Sequence, residues 1–320
     1  MGDFPCGEDL ALSAIDISFT SHGTRCAATY LTSANNALTG SDGRPCVVMG
    51  HGFGATRDAG LRPFADRFAA AGADVLIFDY RGFGTSDGTP RQDVAHWRHR
   101  GDYHAALAHA RTMPGVDPNR IVLWGSSYSG GHVLPVAVKD ARVAAVISQG
   151  AAMDGFAALL EIARYAGVGQ LLKLSGHALR DLAQAALRRP PHLIPIVGPP
   201  GSLAAITAEG AETGYEAIMG PTFRNEMCAR GIMFIPLNRP VTSAAKIGCP
   251  LLIVLAEQDN VAPTKSVRAA ARKAGPRAQM LVLPSGHFDI YTGEMFEKSI
   301  VTQVEFLTTH LATRQPQRLQ

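Results

Sequence analysis

A serine at 127, an aspartate at 259 and a histidine at 287, far apart in the chain, are the residues whose types and order could do chemistry together. Ser127 lies in WGSSYSGGH, residues 124–132, directly after the apolar run IVLW. This is close to the G-x-S-x-G turn, where a strand ends sharply, a helix begins, and small residues two before and two after the serine let the backbones pass. Gly125 fills the first small position, and Ser129 stands where the second glycine is usual. A rival register puts Ser129 at the tip with Gly131 behind it, but it carries the turn beyond the end of the apolar strand. Ser126 fits neither register. A serine hydroxyl needs a base, and the base needs a group that orients it. LLIVLAEQDNVAP places Asp259 just past one apolar run, and MLVLPSGHFD places His287 just past the next. All three would then stand on one rim of a parallel sheet, where ligands bind. The chemistry of such a set is acyl transfer through a covalent acyl-serine.

A tetrahedral oxyanion also needs donors. VVMGHGFGATRD, residues 47–58, is an apolar strand followed by His-Gly-Phe-Gly. The Phe53 N–H is the expected donor from that turn, and the N–H of Tyr128, the residue after the serine, is the other. Glu257 competes with Asp259 as the orienting carboxylate but falls on or near the strand, and Asp289 follows His287 too closely. His51 reads as a structural hydrogen-bonding residue rather than a base. His96, His99, His104 and His109 share one helical stretch, at spacings that match no zinc motif. A solvated helix face is expected there, with no metal site. FDYRGFGTSDG, residues 78–88, lacks the G-x-G-x-x-G spacing of a phosphate loop and is expected to shape the rim beside the oxyanion turn. Nothing calls for a cofactor.

The elements that must hold these residues are legible in the hydrophobic pattern. LSAIDISF and TRCAATYLT alternate around S-H-G as an antiparallel hairpin would. Strand-like runs at 46–50, 75–79, 121–124, 143–148, 251–255 and 280–283 alternate with helical stretches. That rhythm predicts right-handed βαβ crossovers and a mostly parallel sheet. LRPFADRFAAAG and TKSVRAAARKAG end on glycine stops, GEMFEKSIVTQVEFLTTHLATR forms a last helix, and QPQRLQ frays. Between 151 and 245 the alternation stops; 155–185 is helical by pattern and RPPHLIPIVGPPGS follows. The reading is a core of 1–150 and 246–320 interrupted by a helical lid over 151–245, with a second packed domain as the alternative.

The 320 residues, 46% hydrophobic and 18% charged, fit a globular chain with a large core. A formal charge of +3 without Lys/Arg blocks leaves no footprint for nucleic acid, so a small-molecule partner is expected. The start MGDFPCGEDL does not read as a secretory signal, and no apolar stretch reaches the ~20 residues of a membrane span. A cytoplasmic location is therefore expected, and a homodimer is compatible with the reading. Cys6, Cys26, Cys46, Cys228 and Cys249 are odd in number and scattered, and they read as reduced packing residues.

HGFGATRD, FDYRGFGTSDG, WGSSYSGGH, the D-x-x-x-P of DNVAP and GHFDIY together resemble the α/β-hydrolase superfamily over nearly the whole chain. The resemblance is to the serine-hydrolase branch that groups dienelactone hydrolases, esterases and S15-type peptidases. It implies the triad Ser127, Asp259 and His287, in the chain order of that architecture. A serine at the elbow argues against epoxide hydrolases and haloalkane dehalogenases, which place an aspartate there. A carboxylic ester is the first expectation for a substrate, with thioester, lactone, amide or carbon–carbon cleavage behind it. Transfer to an alcohol, and a ligand-binding homologue with slow turnover, stay open. Leu159, Leu160, Ile162, Leu171, Leu172, Ile194 and Ile196 in the insertion suggest an apolar acyl or aryl group, with packing against one another as the alternative.

Overall fold

The computed structural model describes residues 14–312; the start of the chain with Cys6, and the QPQRLQ tail, lie outside them. The hairpin is β1 (Ala14–Ser21) and β2 (Thr24–Leu31). Its two-residue turn, His22 at φ 46° and Gly23 at φ 77°, has both central residues left-handed, the geometry that matches strand twist. β3 (Arg44–Gly50), α1 (Arg62–Ala70), β4 (Asp74–Phe78), α2 (His96–Ala110), β5 (Val116–Ser126), α3 (Tyr128–Lys139) and β6 (Val143–Gln149) follow in alternation.

The insertion begins with α4 (Gly155–Ala186), two helical runs that meet at Gly167, whose φ of 80° breaks the helix. Asp154 caps α4, accepting from the Phe156 and Ala157 N–H groups. Beyond it come β7 (Leu193–Ile194), α5 (Ala211–Ile218), β8 (Met227–Cys228) and 3₁₀ turns at 229–237. The buried Asp181 of α4 pairs with Arg230 of the 3₁₀ segment at 2.7 Å and accepts from the His192 N–H at 2.7 Å. The chain then returns as β9 (Leu251–Ala256), α6 (Thr264–Ala274), β10 (Ala278–Leu283) and α7 (Gly293–Leu311).

Among the described residues one sheet runs in the order β1-β2-β4-β3-β5-β6-β9-β10, and the insertion adds no strand to it. From β4 to β10 every neighbouring pair is parallel, while β2 pairs antiparallel with both β1 and β4. The strand interiors are near-continuous apolar runs because helices cover both faces. On one face Val48, Ile121 and Leu123 pack with Tyr103 and Leu107 of α2, Val133 and Leu134 of α3 and Val267 of α6. On the other, Val47, Met49, Val122 and Trp124 pack with Phe64 and Phe68 of α1 and Ile300, Phe306 and Leu307 of α7. The alternation of side chains along each strand sorts them between these layers. Cys26, Cys46, Cys228 and Cys249 are free thiols, and burial pushes the first and third up to about 12.

Two expectations need correction. α2 is not a solvated face at its histidines, because its inward stripe is His99, Asp102, Tyr103, Ala106, Leu107 and Ala110. His99 is 1% exposed and stacks flat on Tyr80 at 4.0 Å between ring centroids. Helical position, not polarity, decides which side faces in. Several insertion residues expected at an acyl site are placed elsewhere: Leu160 and Leu172 are exposed, and Ile194 and Ile196 are buried in the core. Of the seven, only Ile162 lines the pocket described below.

Candidate active site

Four loops at the carboxyl ends of parallel strands meet at one point, each delivering one group. β5 runs into α3 with no linker but Ser127, whose φ of 57° and ψ of −119° hold it in a region that costs a non-glycine residue of order 1–3 kcal/mol. The strand and helix pass so closely that a Cβ at Gly125 would lie 2.4 Å from the Ser129 carbonyl oxygen, and one at Gly131 would lie 2.3 Å from that of Ala152. Even an alanine would collide with backbone at either place, so both positions call for glycine. The turn is held by the Ser127 N–H donating to Gln149 O at 2.8 Å, and by the Ala152 N–H donating to Ser127 O at 3.0 Å.

The three serines separate cleanly. Ser126 faces into the core, with its Oγ 2.5 Å from the Tyr291 hydroxyl. Ser129 Oγ lies 2.5 Å from the Tyr103 hydroxyl, which itself donates to Trp124 O at 2.8 Å. The Tyr103 proton is thereby committed, so Ser129 is the donor and points away from the pocket. Ser127 Oγ alone meets a base, 3.1 Å from His287 Nε2.

His287 arrives on the loop after β10 and is 4% exposed. Its Nδ1 lies 2.6 Å from Asp259 Oδ2, on the loop after β9. The other oxygen, Oδ1, accepts from the Val261 N–H at 2.8 Å and the Ala262 N–H at 2.7 Å. Fixed on both oxygens, this carboxylate sets the tautomer: Nδ1 carries the proton and Nε2 is left as an acceptor toward Ser127. Glu257 instead pairs with Arg268 at 2.8 Å on the exposed side, and Asp289 accepts from the Gly286 N–H at 2.7 Å. Neither reaches His287 through its carboxylate.

The loop after β3 brings Phe53 beside this set. A Cβ at Gly52 would sit 3.1 Å from Ser127 Cβ, which shows how near the turn comes. The N–H groups of Phe53 and of Tyr128, first residue of α3, donate to no acceptor among the described residues. His51 Nδ1 is 3.1 Å from Gly52 O, the carbonyl of the peptide that carries the Phe53 N–H. As a donor there it fixes that peptide plane, and burial pushes its pKa down and keeps the ring neutral. The 78–88 loop braces the same turn. Asp79, fully buried, accepts from the Arg57 N–H at 2.7 Å, from Arg57 Nη1 at 2.8 Å and from the Thr85 N–H at 3.2 Å.

The sequence signals missed what lies beneath the turn. His51, His99 and His132 are buried among Tyr80, Phe83, Tyr103 and Tyr128, with His132 4.4 Å from the Tyr128 ring. Their signal was only the i, i+3, i+4 stripe of α2 and the histidine that ends WGSSYSGGH. Missed too was Asn238, 1% exposed, which lines the pocket and accepts from Arg100 Nη2. Among the described residues no group of three or more His, Cys, Asp and Glu side chains is arranged to hold a metal ion, and no helix is long and apolar enough to cross a membrane.

Comparison with known proteins agrees with this architecture. The chain is 38% identical over 295 residues to the quorum-quenching protein AidA of Acinetobacter baumannii, covering 92% of this chain and 94% of that one. It is 29% identical to the thiohydrolase aneE of Aspergillus aculeatus, covering 88% of each. The crystal structure of the α/β hydrolase GrgF from Penicillium sp. sh18 superposes with a TM-score of 0.78 at 24% identity, over 94% of this chain and 100% of that one. The family model described as serine aminopeptidase, S33, matches residues 41–290, and the chain therefore belongs to that family of α/β hydrolases.

Proposed function

We propose that this α/β hydrolase is a serine esterase that cleaves carboxylic esters through an acyl-enzyme on Ser127. The observation that carries the reading is the relay in which Nε2 of His287 lies 3.1 Å from Ser127 Oγ while Nδ1 lies 2.6 Å from Asp259. His287 takes the Ser127 proton as Oγ attacks the carbonyl carbon, and Asp259 stabilises the imidazolium that results. The Phe53 and Tyr128 N–H groups hold the oxyanion, each contributing about 10²–10³ in rate by analogy with measured donors. The C–O bond to the alcohol then breaks, and its electron pair takes the proton from His287. Water repeats the sequence on the acyl-serine: its oxygen bonds the acyl carbon, its proton passes to His287, and the Ser127 hydroxyl is restored.

The pocket beside Ser127 favours an apolar acyl group, since Ile162, Ile235, Ala158 and Val261 line it. Residues 151–245 act as the cap over this pocket, and the partner is a small-molecule ester. Thiol esters are the second class, favoured by the relative named as a thiohydrolase. The test is intact mass after treatment with a fluorophosphonate probe, followed by an ester and thioester panel. One adduct is expected on the wild type and on Ser129→Ala, and none on Ser127→Ala. An unlabelled wild-type protein, or labelling that survives Ser127→Ala, overturns the reading.

A further inference from the structure

Two pockets meet at Ser127, and they are not equivalent. Ser127 and Phe53 line both. The larger encloses about 710 Å³, part of it open to solvent, and runs under α4 past Tyr128, Ala158 and Ile162. The smaller spans about 300 Å³, likewise partly open to solvent, and is walled by Ile218 and Met219 at the end of α5 and by Phe288 and His287 of the core. His287 lines the small pocket and is absent from the lining of the large one.

We infer that the large pocket receives the acyl group and the small one the leaving alcohol, so that this chain selects esters of an extended, uncharged apolar acid with a compact alcohol. The inference rests on the esterase reading above and goes beyond it by dividing the substrate at its scissile bond. Its basis is the path of one proton. When the C–O bond breaks, the alcohol oxygen must collect the proton that His287 Nε2 took from Ser127, so that oxygen lies on the His287 side. What is attached to it departs into the space that His287 borders. The substituent on the acyl carbon points the other way, past Tyr128, while the carbonyl oxygen faces the two N–H donors.

Size then sets the specificity. The α5 wall cannot retreat easily: a Cβ at Gly214 would lie 2.2 Å from the Phe288 ring, and one at Gly60 would lie 3.3 Å from Ile218. A long alcohol therefore has less apolar room beside the α5 wall than a long acyl chain has under α4. Glu161, the one acidic side chain in the large pocket's lining, disfavours an acyl chain that ends in a carboxylate.

Methyl octanoate and heptyl acetate are isomers that differ only in the side of the ester carrying the long chain. In the wild-type protein, kcat/KM for methyl octanoate is expected to exceed that for heptyl acetate by at least about tenfold, the discrimination expected of a few methylenes in a fitted apolar pocket. Ile162→Trp, which narrows the large pocket, should lower kcat/KM for methyl octanoate by a larger factor than for heptyl acetate and so shrink the ratio between them. Met219→Trp, which narrows the small pocket, should lower kcat/KM by a factor that grows with the size of the alcohol, widening the ratio between methyl octanoate and heptyl acetate. A preference for heptyl acetate in the wild type overturns the assignment whatever the variants do. Equal turnover of the two isomers, including none, while the fluorophosphonate still labels Ser127, overturns it as well. If Ser127 is not labelled at all, it is the esterase reading that fails.

Discussion

The hydroxyl of Tyr215, in α5 of the insertion, donates to the carbonyl oxygen of Phe53 at 2.8 Å. His51 bonds the carbonyl just before Phe53, so this residue is held from the core on one side and from the insertion on the other. The insertion thereby positions the proposed oxyanion donor as well as walling the pocket. Tyr215→Phe removes one buried bond and leaves the ring packed against Phe223 and Phe288. The expected outcome is a fall in kcat of about tenfold with little change in KM, corresponding to about 1–1.5 kcal/mol for a lost buried hydrogen bond. Steady-state kinetics on a short ester checks it. A rise in KM alone would show that Tyr215 serves binding and not the donor.

Asp259→Asn tests the tautomer argument. The amide oxygen can keep both bonds from the Val261 and Ala262 N–H groups, so the loop should stay in place. Its NH₂ would then face His287 Nδ1 and impose the tautomer that carries the proton on Nε2, which cannot accept from Ser127. A drop in kcat of about 10⁴ is expected, by analogy with the same change in another serine triad. The melting temperature should move by only a few degrees. Retention of most activity would mean that another carboxylate orients the base.

Much of this was legible because parallel strands buried on both faces leave plain apolar runs, and because the loops after them carry the polar residues. The runs ending near Gly50, Trp124, Leu255 and Leu283 located the rim, and Phe53, Ser127, Asp259 and His287 followed from their place beyond those ends. The inside of the insertion was opaque, since composition does not say which side of a helix meets the pocket. Ile162 and Leu160 are two residues apart, yet one lines the pocket and the other is 56% exposed. Tyr215 was illegible for a different reason: its partner is a backbone carbonyl 162 positions away, and no local pattern records such a bond. His99 was misjudged because a polar residue at the head of an inward stripe looks like the end of the polar face.

Ser129 takes the place of a motif glycine because its hydroxyl has a fixed acceptor in Tyr103. Ser129→Gly should therefore leave fluorophosphonate labelling of Ser127 at its wild-type rate. It should lower stability by about 1–2 kcal/mol, combining a lost buried hydrogen bond with the helix cost of glycine. Denaturant unfolding beside a labelling time course separates the two effects. A slower labelling rate at equal folding would give Ser129 a role in aligning the nucleophile.

The buried histidines give the protein an acid limit of their own. Burial pushes the pKa of His51, His99 and His132 down; His99 is lowered further by His51, and His132 by the Arg100 guanidinium. All three are neutral in the fold, whereas in the unfolded chain each takes up a proton below about pH 6.5. A depressed folded-state pKa means stability that is complete above the unfolded value and lost as pH falls below it. The loss is up to about 1.4 kcal/mol per pH unit for each histidine. The carboxylates with lowered pKa, Asp58, Asp140, Asp154, Asp181 and the exposed Glu294, begin to act only near pH 4, the ordinary carboxylate range. Destabilisation should therefore set in near pH 6.5, well before they titrate. His99→Phe keeps a ring against Tyr80, and neither nitrogen of His99 has a partner to lose among the described residues. This variant should unfold with a pH slope smaller by about one proton between pH 6.5 and 5. Chemical denaturation at a series of pH values reads that slope directly, and an unchanged slope would mean that His99 is protonated in the folded state after all.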